Sequence, residues 1–190
     1  MSYIDKLYAS GMHQTDLVEY LTDIQDAWTD ILTKLDADSG VTAIDYVSDQ
    51  SATIDTTKIS ARGIRSQGDV IDFLNTFVTK FNAVLEKLDT DGLTDNDYVT
   101  VCAIMDVFDS STQGRIKQNG MNQGDLIWIL DECFTHLHLL SRKLDDDATV
   151  NTATYQSGVV AIIGDKVDDY GTKNESSTSW SSSSSSSSSA

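Results

Sequence analysis

The residues best placed to do chemistry in this chain are aspartates. Lys34-Leu35-Asp36-Ala37-Asp38, Lys87-Leu88-Asp89-Thr90-Asp91 and Lys143-Leu144-Asp145-Asp146-Asp147 repeat one Lys-Leu-Asp-x-Asp wording three times. The first two run on through a glycine, Gly40 or Gly92, and the second adds Asp95 and Asp97. Closely spaced carboxylates around a glycine turn are the raw material of an oxygen-rich calcium loop. Asp89, Asp91, Asp95 and Asp97 are the calcium candidates on that ground, with Asp36 and Asp38 a sparser pair. An EF-hand needs ligands at fixed offsets, glycine at the sixth position and glutamate at the twelfth, and neither loop keeps that register. In the third copy the later acids give way to Asn151 and Thr154. Helix caps and turns explain these aspartates better than a metal does, and no cofactor is expected.

Cys133, His136 and His138 form a second constellation, one that invites zinc. His136 lies one helical turn from Cys133, but His138 is two residues further on and points elsewhere. No fourth ligand cluster is visible. Cys133 also stands at an apolar position matched by Ile24 and Phe77, which favours core packing. His13 is isolated and carries no argument. Cys102 shares no CxxC spacing with Cys133, so both read as buried thiols. Catalysis would need a nucleophile beside a base, a phosphate-binding loop or carboxylates paired in a pocket. Gly11, Gly63 and Gly120 are spaced as punctuation and form neither GxGxxG nor a Walker loop. No catalytic residue is assigned, and the chain reads as non-enzymatic.

The elements that carry these residues are amphipathic helices. Leu17, Leu21, Ile24, Trp28, Ile31 and Leu35 alternate steps of four and three, as do Val70, Leu74, Phe77, Phe81, Val84 and Leu88. Leu126, Leu130, Cys133, Leu137, Leu140 and Leu144 repeat the pattern. Such spacing lines one helix face, and predicts helices over 16–35, 69–88 and 125–144, each on the order of 30 Å long. Val18, Leu32, Ile71, Val78, Leu85, Ile127 and Phe134 widen the stripe beyond a two-stranded seam, which suits a bundle. The stripes could equally meet between chains as a trimer.

Each helix follows a glycine-led junction, GMHQTD, GIRSQGD or GMNQGD, whose Asp16, Asp69 or Asp125 reads as a cap. At the far end a lysine in the last turn complements the dipole, and Gly40 and Gly92 are candidates for a left-handed turn. Thr42, Thr94 and Asn151 read as N-caps of a shorter element near each of Tyr46, Tyr98 and Tyr155, with Asp45 and Asp97 completing a capping box. In the second copy Tyr98, Val101, Cys102, Met105 and Phe108 favour a helix. The first copy is more polar there and the third contains a glycine among β-branched residues, so loops or strands are expected for both.

A formal charge of −17 argues against a protein that tracks phosphate backbones, because such affinity comes from lysine and arginine. The acidic surface favours solubility and could accept cations or a basic partner. No apolar run is long enough to span a membrane, and MSYIDKLYAS lacks the basic start and apolar core of an export signal. Proline is absent, which fits helices joined by glycine turns. The last residues, GTKNESSTSWSSSSSSSSSA, bury almost nothing and read as a flexible tail or linker, with Trp180 a candidate anchor.

The wording of the unit, a long apolar helix ending KLDADSGVTAIDY or KLDTDGLTDNDY after a glycine-led junction, resembles repeats in virion structural proteins of tailed phages, especially those of marine bacteria and cyanobacteria. The likeness covers residues 11 to 156. The common form of that turn is close to KLDADxGVTDTDY; this chain departs from it at Ala43 and Ile44, and its third copy loses nearly all the acids. The resemblance implies a structural role in the virion, as a head decoration or fibre, a neck component or a tail-associated protein, and supplies no catalytic residues. The expected partners are further copies of the chain and other capsid, neck or tail proteins, with no direct nucleic-acid or membrane contact. A cellular binding or adhesion module built from the same repeats, stabilised by calcium, is the alternative. The expected organisation is mainly α and bundle-like: an arm (1–10), three repeats of a long helix plus a shorter element (11–62, 63–119 and 120–170) and the serine-rich tail (171–190).

Overall fold

The computed structural model describes residues 14–54, 67–91, 93, 95–102, 123–151 and 154–163. Helices account for 77% of the described residues and no strand occurs among them, so the chain is mainly α. Three helices are long: α1 (Gln14–Ala37), α3 (Gln67–Leu88) and α5 (Gln123–Asp146), while α2 (Tyr46–Gln50), α4 (Tyr98–Cys102) and α6 (Tyr155–Ile163) are short. The terminal arm, the serine tail with Trp180, the junction glycines Gly11, Gly63 and Gly120, and Met105 and Phe108 lie outside the described residues. None of the described helices is long and apolar enough to cross a membrane.

The long helices follow the four-three ladder, whose residues are buried except for half-buried Leu17. They start at Gln14, Gln67 and Gln123, ahead of the aspartates expected to cap them. Asp16 and Asp69 therefore stand in the first turn, where a carboxylate still meets the positive end of the helix dipole. The side chain of Asp125 is outside the described set.

Ring contacts show where these helices meet. Trp28 of α1 meets Phe77 edge-on at 5.6 Å and Phe81 at 5.7 Å. Phe81 in turn meets His136 of α5 edge-on at 5.7 Å. The far ends of the three helices meet through Tyr46 on Asp91, Tyr98 on Asp147 and Asn151 on Asp38, so α1, α3 and α5 lie parallel; Trp28, Phe81 and Leu137, which adjoins His136, stand at the same step of their ladders. The three apolar stripes thus face one another inside a single chain. Each fully buried large apolar side chain contributes about 1.5–3 kcal/mol to such a core.

Parallel long helices require the chain to return between them, and the short helices begin that return. At the end of α2 the indole Nε1 of Trp28 donates to the Gln50 carbonyl at 2.9 Å, and beyond it Ile54 N–H donates to Gln25 Oε1 at 2.7 Å. The segment therefore runs back along α1, with Ala52 buried beneath it. Helix α2 packs on α1 and α3, α4 on α3 and α5, and α6 on α5 and α1, which closes the arrangement upon itself.

Three expectations need correction. The first and third shorter elements are helices, not loops or strands, because distant carboxylates supply their caps. Thr42 and Asn151 precede the helices without capping them, and Asp45, the residue before α2, makes no side-chain cap; Thr94 is outside the described residues. Gly40 is not left-handed either. It is needed for close approach, since a Cβ there would overlap the Thr149 carbonyl oxygen. Gly92 is not among the described residues.

Candidate functional site

The recurring Lys-Leu-Asp-x-Asp segments end the three long helices side by side, and each of their polar residues has a separate task. The first aspartate serves the short helix that follows it in sequence. Asp36 accepts Tyr46 N–H at 2.7 Å and Val47 N–H at 3.0 Å. Asp89 accepts from Tyr98 at 2.6 Å and Val99 at 3.2 Å, and Asp145 from Tyr155 at 2.9 Å and Gln156 at 3.0 Å. Two orphan N–H groups at each helix start are thereby satisfied by one carboxylate from the preceding turn.

The second aspartate reaches across to a different short helix or, for Asp38, to the turn ahead of one. Asp91 Oδ2 accepts the Tyr46 hydroxyl at 2.9 Å and Ala43 N–H at 3.2 Å. Asp147 Oδ2 accepts the Tyr98 hydroxyl at 2.9 Å and Asp95 N–H at 3.3 Å. Asp38 Oδ1 accepts Asn151 N–H at 3.1 Å and Gly40 N–H at 2.8 Å. The third tyrosine breaks the pattern, because the buried Tyr155 hydroxyl finds no hydrogen-bond partner among the described residues.

The lysines point the same way as the second aspartates. Lys87 pairs with Asp45 and sits 4.1 Å over the Tyr46 ring. Lys143 holds Asp95 at 2.5 Å and Asp97 at 2.8 Å, 5.5 Å over Tyr98. Lys34 donates to the Thr154 carbonyl at 2.9 Å and to Asp30 at 2.6 Å, 5.9 Å over Tyr155. Cation–π contact of this kind fastens a lysine over a ring while leaving its amine to pair. The three cations also offset the crowding of three negative helix ends at one side of the bundle.

This setting shifts the titratable groups. Burial raises the phenols of Tyr46, Tyr98 and Tyr155 well above their ordinary value, reinforced by the hydrogen bonds they donate to Asp91 and Asp147 for the first two and by the charge of Asp38 for the third. Partial burial works against the charged form of Lys143, yet Asp95 and Asp97 push it up to about 12. The Lys87 hydrogen bond lowers the Asp45 carboxyl.

The calcium candidates are thus distributed. Asp89 faces the start of α4, Asp91 faces Tyr46, and Asp95 with Asp97 faces Lys143. Asp36 and Asp38 are engaged in the same two ways. Among the described residues no group of three or more His, Cys, Asp and Glu is placed to hold a metal ion.

Cys133 is buried in the core, and burial pushes its thiol up; burial pushes Cys102 up to about 12. His136 Nε2 lies 3.7 Å from Glu132 Oε2, and His138 is buried with its Nδ1 lacking a hydrogen-bond partner among the described residues. Burial, then the nearby Arg142, holds the His138 imidazolium below the ordinary range.

The cross-seam work of the lysines and tyrosines was not read from sequence. Its signal was there: a tyrosine recurs at nearly the same distance after each Lys-Leu-Asp-x-Asp segment. These arrangements join helices, and no family model, curated protein or solved structure matches the chain.

Proposed function

We propose that this chain is a non-enzymatic structural protein of a tailed-phage virion, a head decoration or fibre, a neck component or a tail-associated protein, acting through homo-oligomeric assembly and docking. Three copies of one unit, 11–62, 63–119 and 120–170, build it. The observation that carries the non-enzymatic part is the commitment of the recurring lysines and aspartates to helix starts, tyrosines and one another. Residues so engaged hold a scaffold rigid, and rigidity is what a particle component needs. The wording of the unit, similar to virion repeats, supports the placement in a particle.

Mass spectrometry of purified particles tests that placement. The chain is expected among the particle proteins at a stoichiometry set by the symmetry of its site. A Phe77→Asp variant, with a carboxylate on the most apolar stripe, is expected to be absent from them. Recovery of the wild-type chain only outside particles would sink the proposal.

A further inference from the structure

Away from the seams at which α2 meets α3, α4 meets α5 and α6 meets α1, the long helices turn an outer face to solvent, and the three faces differ. At matched steps opposite the ladder, α1 carries Glu19, Asp23, Asp26, Asp30 and Thr33, and α3 carries Asp72, Thr76, Thr79, Ala83 and Glu86. The same steps of α5 hold Trp128, Glu132, Thr135, Leu139 and Arg142. Four carboxylates on α1 and two on α3 thus give way on α5 to one carboxylate, a cation and two apolar side chains. Trp128 is 39% exposed where its counterparts are acids, Leu139 is half-buried and Arg142 is exposed. Arg142 is held only by an exposed pair with Asp146 at 3.9 Å, an interaction worth little.

A single exposed tryptophan is ordinary on a protein surface. The spacing along α5 is what identifies a partner. Trp128 and Arg142 stand seven residues before and after Thr135, about two helical turns on either side of it. A twofold axis through Thr135 therefore sets Trp128 of each copy opposite Arg142 of the other, and guanidinium over indole is a favoured cation–π pair. Thr135 is small and its hydroxyl donates to the Asp131 carbonyl at 2.9 Å, which leaves its methyl group for the neighbour and lets two helices approach closely at the axis.

We infer that the outer face of α5 is a self-complementary docking surface, on which α5 of a second copy lies antiparallel with two Trp128–Arg142 contacts across Thr135. The occupant is a second copy because the face carries both halves of the contact at mirrored spacing. For a chain of formal charge −17, it also brings fewer carboxylates together at these steps than the outer faces of α1 or α3 would. One helix face is a small interface, below about 1,200 Å² in total, so the association is weak and depends on concentration. The inference deepens the homo-oligomeric part of the proposed function and does not rest on the virion placement.

Sedimentation velocity of the full-length chain over a concentration series tests it. A reversible monomer–dimer equilibrium is expected. Trp128→Ala and Arg142→Glu, both at exposed positions and checked for helicity by circular dichroism, are each expected to weaken the dimer about tenfold. Thr33→Glu, at the step of α1 that matches Arg142, is expected to leave it unchanged. Trp128→Arg combined with Arg142→Trp rebuilds both contacts with the partners exchanged, and is expected to return the dimer to within a few-fold of wild type. A short bis-maleimide is expected to join Thr135→Cys chains to one another and not Thr79→Cys chains, with wild type, whose Cys102 and Cys133 are buried, as background. Equal weakening by Thr33→Glu, no recovery in the exchanged variant, or linking at position 79 as readily as at 135 overturns the inference. Dimers that survive both single substitutions overturn it while leaving the homo-oligomeric reading in place, whereas wild-type chain that is monomeric at every concentration overturns both.

Discussion

The hydroxyl of Tyr98 donates to Asp147 Oδ2 at 2.9 Å with both side chains withdrawn from solvent, tying the start of α4 to the end of α5. A hydrogen bond to a carboxylate in such a place is worth about 1.5–3 kcal/mol. Tyr98→Phe is therefore expected to lower unfolding free energy by about that amount in urea titration. Tyr155→Phe serves as the internal contrast, because its hydroxyl has no hydrogen-bond partner among the described residues. That change is expected to stay within about 0.5 kcal/mol of wild type. Equal losses would mean that the third seam is clasped like the others.

The three seam tyrosines also predict an alkaline limit. Their phenols are raised by burial above the ordinary value of 10.0. A group raised in the folded state stabilises it fully below its unfolded value and loses that contribution as pH rises beyond. Stability should thus fall once pH exceeds about 10. Phenolate absorbance followed beside circular dichroism checks this: at least three of the seven tyrosines are expected to ionise only as helicity is lost. Smooth ionisation of all seven with helices intact would contradict the burial.

Which parts of this were legible in the sequence follows from how far each signal reaches. The ladders of α1, α3 and α5 were readable because a period near 3.6 is local. Helices α2 and α6 were not, since YVSDQ and YQSGVVAII carry weak helical signals and their caps come from Asp36 and Asp145, some ten residues back. Gly40 was misread for the same reason: its need for close approach comes from Thr149, far along the chain. The acidic turn looked like a metal loop because spacing shows which carboxylates are near in sequence. It does not show that Asp89 and Asp91 face different short helices.

That division of labour among the aspartates can be measured. Asp145→Ala removes the acceptor for two N–H groups at the start of α6 and is expected to cost about 1 kcal/mol, within the 0.5–2 range for lost caps. Asp95→Asn with Asp97→Asn instead removes partly exposed partners of Lys143, worth about 0–1 kcal/mol each. Thermal melts with and without calcium decide between this account and a metal loop. Calcium is expected to leave the melting temperature of wild type unchanged. A calcium-dependent rise that the paired asparagine variant abolishes would restore the cation reading.

His138 sets the acid side of the stability profile. Its ring is buried on α5, and burial followed by Arg142 disfavours the imidazolium, so its folded pKa lies below the ordinary 6.5. The unfolded chain then binds a proton at a pH where the folded chain does not. By linkage stability rises with pH through that window, and it is lost progressively as pH falls from about 6.5 toward the depressed folded value. Carboxylates also lose their contribution in acid, at lower pH, so the informative quantity is the difference between chains. His138→Gln keeps a polar side chain of similar reach but cannot titrate. Urea unfolding at successive pH values is expected to show wild type losing stability relative to this variant below pH 6.5, with parallel profiles above it. Profiles parallel throughout would mean that neither burial nor Arg142 changes the proton affinity of His138 on folding.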